Sequence, residues 1–138
     1  MTEWIDRYVQ AWNSHDAANV AELMADDVAF EDVGAGQAHQ GREAVKAFAA
    51  STLVWSSDFS MVVVTSQQDG DQYAFEWEVS GTNTGAVAGL PVTNKPFRIR
   101  GVSIGERDGE GRIVRNRDYW NLADYFVQVG ILPGLPSD

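Results

Sequence analysis

The sequence predicts an α+β domain: a long curved antiparallel sheet wrapped as a cone-shaped barrel around N-terminal helices. Three observations carry this prediction. Apolar residues recur at helical spacing through Leu53, and from Ser60 the period drops to two. The two regimes are segregated along the chain, which marks α+β rather than alternating α/β. Five Trp, four Tyr and six Phe in 138 residues can fill a core and still line a cavity at the wide end of the cone.

The elements follow in order. Trp4, Ile5, Tyr8, Val9 and Trp12 form one apolar stripe, so Thr2–Ser14 reads as a helix. Asp16 is placed to N-cap a second short helix carrying Val20, Leu23 and Met24, closed by Asp26-Asp27. Val28–Asp32 reads as a short strand, and Gly34–Gly41 as a flexible glycine-rich loop. A third helix is expected over Arg42–Leu53, with Val45, Phe48 and Ala49 on one face. Strands are expected over Ser60–Gln68, Gln72–Asn83, Phe97–Glu106 and Arg112–Trp120. Asp69-Gly70-Asp71 and Asp108–Gly111 supply turns, and Thr84–Asn94 a longer loop. A helix over Leu122–Val129 precedes Gly130 and two prolines. The length fits one domain over residues 1–138, without internal repeats.

Bulk composition excludes several functions. Asp and Glu outnumber Lys and Arg by 20 to 10, and a net charge of −10 repels nucleic acid and anionic lipid. With no cysteine there is no disulfide framework, thiolate metal site or Cys nucleophile. No apolar run approaches the roughly 20 residues of a membrane span, and no leader peptide is visible, so a cytoplasmic location is expected.

Asp118 is the residue that stands out. On a strand, Val114, Asn116, Asp118 and Trp120 share one face, and Arg115, Arg117 and Tyr119 the other. A carboxylate among Val and Trp, turned away from two arginines, suits a desolvated general base. The alternative is a structural Asp that caps the last helix or pairs with an arginine. Asn83 and Asn116 could donate to a developing enolate oxygen, or simply satisfy strand ends. Ser103, on the face of Phe97, Ile99 and Gly101, is a pocket hydroxyl or core filler. Trp12, Phe30, Trp55, Trp77 and Trp120 are candidate walls for a flat aromatic or terpenoid ligand, or ordinary core. His39 sits in the glycine-rich loop, a candidate lid. His15 follows a helix end and reads as its dipole partner. Arg98 and Arg100 are expected to bridge to Glu76 or Glu78, or else to clamp an acidic substrate. No spacing suggests a metal site.

The stretch YVQAWNSHDAANVAELMADDVAFED at 8–32 resembles the opening of the SnoaL-like polyketide cyclases. GTNTG at 81–85, GLPVTNKPFRIRGVSI at 89–104 and GRIVRNRDYWN at 111–121 resemble their last three strands. That family shares its cone-shaped fold with ketosteroid isomerases, limonene epoxide hydrolases and nuclear transport factor two. The resemblance implies an enzyme without cofactor or metal, a small hydrophobic or aromatic ligand, and a homodimer formed through the sheet. It also implies that Asp118, matching the acidic residue of the last strand, is the catalytic acid/base of an intramolecular aldol ring closure. The Arg-Asp-Tyr-Trp string at 117–120 is similar to the last strand of the epoxide hydrolases as well. Their Arg-x-Asp set falls here on Asn83-Thr84-Gly85, and the His common in the cyclases falls on Ser103. An isomerase, an epoxide hydrolase-like enzyme and a non-catalytic binding module are the alternatives.

Overall fold

A computed structural model describes residues 3–87 and 89–136. Four helices and six strands are present among them: α1 (Glu3–Asn13), α2 (Ala17–Ala21), β1 (Met24–Asp32), β2 (Gln37–Gln40), α3 (Arg42–Trp55), β3 (Ser60–Asp69), β4 (Gln72–Thr82), β5 (Pro96–Arg107), β6 (Ile113–Trp120) and α4 (Leu122–Gln128). Thr2, expected to open the first helix, lies outside the described residues.

The strands form one sheet in the order β2-β1-β6-β5-β4-β3. Every pairing is antiparallel except β1 with β6, which is parallel. The sheet curves as a cone without closing, and the helices fill its concave side. Alternation fixes which face each strand buries: Tyr73, Phe75, Trp77 and Val79 of β4 are buried, while Glu76 and Glu78 face outward. On α1 the buried stripe is Trp4, Ile5, Tyr8, Ala11 and Trp12. Trp4 lies 4.5 Å from Tyr73, and Tyr8 5.6 Å from Phe75, ring centre to ring centre. Asp16 caps α2, accepting from the Ala18 amide at 2.9 Å.

Several expectations change. Asp26-Asp27 does not end a helix. The helix stops at Ala21, because Met24 must lie beside Ile113 of β6, and both aspartates fall within β1. Part of the expected flexible loop is ordered: Gln37–Gln40 is an edge strand paired with Ala29–Asp32. His15 does not act on the α1 dipole; its Nε2 meets the Phe59 carbonyl at 2.8 Å. As expected, Arg98 bridges to Glu78 at 3.6 Å on the outer face, diagonally across the β4–β5 pairing that sets Arg100 opposite Glu78.

Candidate active site

The parallel β1–β6 pairing assembles the site. It sets Asp32 beside Asp118 and Phe30 beside Asn116. Continued across the sheet, one row reads Gln37, Asp32, Asp118, Ser103, Phe75. The next reads His39, Phe30, Asn116, Gly105, Tyr73. Both rows face the concave side.

A cavity of about 770 Å³ opens there. That volume suits a drug-sized ligand. Its walls are mostly apolar: Trp12, Phe59, Trp77, Ile99, Trp120 and Tyr125 are among them. Ser103, Asp32 and Asp118 make up its polar end. No Lys or Arg lines it among the described residues. Its exposed wall residues include Val54 near the end of α3 and Ala86 in the 84–94 loop.

Asp118 is half-buried, and the space it borders is the cavity. Its Oδ1 accepts from Ser103 Oγ at 2.6 Å and from Asn116 Nδ2 at 2.7 Å. Neither recorded bond uses Oδ2. Desolvation pushes its carboxyl up to about 7, against the two hydrogen bonds, and the neighbouring Asp32 adds to the rise. Such a group exchanges a proton readily at neutral pH. It neither pairs with an arginine nor caps α4. The cap is Asn121, whose side chain accepts from the Asp124 amide.

The other expected site residues divide. Trp12, Trp55, Trp77, Ser103, Trp120 and His39 all line the cavity. Phe30, Asn83 and Asn116 do not. Phe30 is covered by Phe48, 5.5 Å away, and by His39. Asn83 instead fastens the 84–94 loop: its Oδ1 accepts from Thr93 N and Oγ1, and its Nδ2 donates to Gly85 O. Asn116 stands behind Asp118 and orients it. His39 is not on a lid. It sits on β2 and stacks on Phe48 at 4.4 Å, and burial lowers its pKa.

Sequence reasoning missed Asp32 and Tyr8 as wall residues. Asp32 is buried, and its Oδ1 accepts from Trp120 Nε1 at 2.6 Å and from the Ala35 amide at 3.0 Å. Nothing local in the sequence announces it, because the parallel pairing that brings it to Asp118 joins residues 86 apart in number. Tyr8 shares the α1 stripe with Trp12 one turn on, so its place was legible as a neighbour of an expected wall residue. Burial, with the nearby Asp118 charge, drives its phenol pKa up, so Tyr8 stays a neutral donor. Two further polar atoms, Trp12 Nε1 and His39 Nε2, are buried without a protein partner. No cluster of three potential metal ligands occurs among the described residues. Among the described residues no helix is long and apolar enough to cross a membrane.

Among curated proteins, none matches the chain in sequence. Solved structures share the fold at low identity. One is a protein of ketosteroid isomerase-like fold from Catenulispora acidiphila in complex with trimethylamine. It is 22% identical, with TM-score 0.81 over 97% of this chain and 98% of that one. Another is a provisionally named SnoaL-like polyketide cyclase from Jannaschia sp. CCS1. It is 18% identical, with TM-score 0.83 over 96% and 92%. A provisionally named polyketide cyclase from Pseudomonas putida is 23% identical, with TM-score 0.78 over 92% and 96%. The family model of SnoaL-like polyketide cyclases matches residues 2–129. With nearly its whole length matched, the chain belongs to the SnoaL-like polyketide cyclase family.

Proposed function

We propose that this protein is an acid/base enzyme that closes a ring in an apolar, carbonyl-bearing small molecule. The intramolecular aldol reaction of a polyketide is the most specific form of this reading. One observation carries it: a carboxyl group titrating near neutrality stands at the polar end of a large aromatic-walled cavity. An aldol closure needs a base to take a proton from the carbon beside a carbonyl. It then needs a proton returned to the new alkoxide. Asp118 can do both, since a group with pKa near the working pH can give back what it takes. Tyr8 OH and Trp12 N–H are donors on the same wall, available to a carbonyl oxygen as it gains charge. A cavity wall with two aspartates and no Lys or Arg favours a neutral ligand over a free acid.

The test is turnover of a panel of uncyclised aromatic polyketide esters, followed by the chromatographic and absorbance change of ring closure. Asp118→Asn and Asp118→Ala should each lose between roughly 100-fold and 10,000-fold in kcat while keeping the wild-type fold. Full activity in both would rule the mechanism out.

A second reading, a non-catalytic binding module, has one observation in its favour: Ser103 stands where a cyclase histidine is common. Equal ligand affinity in wild type and Asp118→Asn, with no product from either, is its signature. For assembly we propose a homodimer through the outer face of the sheet. There Val62, Val102 and Tyr119 are exposed among Glu76, Glu78 and Arg100.

A further inference from the structure

Two chains of hydrogen bonds converge on a single oxygen of Asp118. In the first, Trp77 Nε1 donates to Ser103 Oγ at 2.9 Å, and Ser103 Oγ donates to Asp118 Oδ1 at 2.6 Å. In the second, Tyr73 OH donates to Asn116 Oδ1 at 2.7 Å, and Asn116 Nδ2 donates to Asp118 Oδ1 at 2.7 Å. Each chain begins at a buried aromatic ring of β4 and crosses β5 to reach its target. Two glycines make the crossing possible. Gly101 lies opposite Trp77, and a Cβ there would sit 2.4 Å from the indole ring. Gly105 lies opposite Tyr73, and a Cβ there would sit 2.5 Å from the phenol oxygen. So the alternation Gly101-x-Ser103-x-Gly105 on the inner face of β5 clears two ring-sized slots around one hydroxyl.

The direction of each bond matters. A serine hydroxyl has one proton. The Trp77 N–H can only donate, so it occupies a lone pair of Ser103 Oγ and turns the Ser103 proton toward Asp118. Likewise the Tyr73 hydroxyl holds the Asn116 carbonyl oxygen, which turns the Asn116 amide protons toward Asp118. Resting on the reading of Asp118 as the working acid/base, we propose that Trp77 and Tyr73 are its positioning residues. Acting through Ser103 and Asn116, they lock Oδ1 and leave Oδ2 as the oxygen that exchanges a proton with the ligand. This arrangement does a different job from a histidine at position 103. It supplies no second proton carrier; it fixes the orientation of a single one.

The test needs no substrate. The groups that bear on Asp118 are Asp32 from β1, Tyr8 from α1 and Tyr73 from β4, with Arg107 beside Tyr73. Protein labelled with ¹³C at aspartate carboxyls and ¹⁵N at tryptophan is titrated by NMR. Ser103→Ala and Asn116→Ala remove a direct donor to a carboxylate, and each should raise the Asp118 midpoint by about one pH unit. Trp77→Phe and Tyr73→Phe touch Asp118 only through a neighbour. Each should raise it by a smaller but measurable step, roughly a third of a unit. Phe75→Leu, in the same inner row but without a polar group, should leave the midpoint unchanged even if it lowers stability. In the wild type, the Trp77 indole N–H resonance should shift with the Asp118 midpoint, a readout that requires no variant to fold. A flat Trp77 resonance would overturn the proposal. So would unchanged midpoints in Trp77→Phe and Tyr73→Phe, or an equal shift in Phe75→Leu. Full turnover by Asp118→Asn with these shifts present would sink the catalytic reading alone, leaving the positioning in place.

Discussion

Asp118 is held in a state that costs stability. Its carboxyl titrates at about 7 in the folded protein and near 4 when unfolded, so the native state binds the proton more tightly. The protonated group's stabilisation is therefore fully present below about pH 4 and is lost as pH rises through 7. Asp118→Asn removes that dependence, because an amide carries no charge to desolvate. The variant should gain on wild type as pH rises from 4 to 8, by up to about 4 kcal/mol. Urea denaturation at several pH values measures this. A constant difference across that range contradicts the burial described here. This Asp was legible in the sequence because its strand neighbours are apolar. Asp32 was not, because its place depends on a parallel partner far along the chain. Asn116, readable as a donor to the ligand or as a strand-end residue, hydrogen-bonds Asp118, since position on the right face does not say which neighbour a side chain meets first.

The 84–94 loop, which lines part of the cavity, shows how one side chain can organise an element. Asn83 is fully buried, and its oxygen and nitrogen both bind loop backbone or loop side chains. Asn83→Ala should leave several loop groups without partners, at a cost of about 2–3 kcal/mol. The Thr93 amide, bonded to the Asn83 side chain, should then exchange with solvent much faster by hydrogen exchange. Protection equal to wild type would mean that other contacts hold the loop. Most elements were readable because their periods are strong, as in α1 and β4. The edge strand β2 escaped because Gln37-Ala-His-Gln is short and polar and sits between glycines. Its strand character comes from pairing with β1, not from its own propensity. For the same reason His39 lies on a strand in the cavity wall rather than in a loop.

In the molecule as a whole, the segregation of helices and strands predicted the class, and the α1 stripe predicted what fills the cone. The parallel β1–β6 contact was out of reach, because the chain pattern shows runs of strands and not which distant ones meet. The outer sheet face carries the assembly proposal. Val102→Glu places a charge opposite Tyr119, on the surface offered to a second copy. Sedimentation should show a dimer for wild type and a monomer for this variant. A wild-type monomer would remove the sheet face from consideration.

The pH dependence of ring closure tests most directly whether Asp118 is the working acid/base. The wild-type kcat/KM should rise about tenfold per pH unit below 7 and level off above it, as Asp118 loses its proton. Asp118→Asn should be slow and without that step. A wild-type midpoint near 4, or an Asp118→Asn enzyme that keeps both the rate and the step, would contradict it.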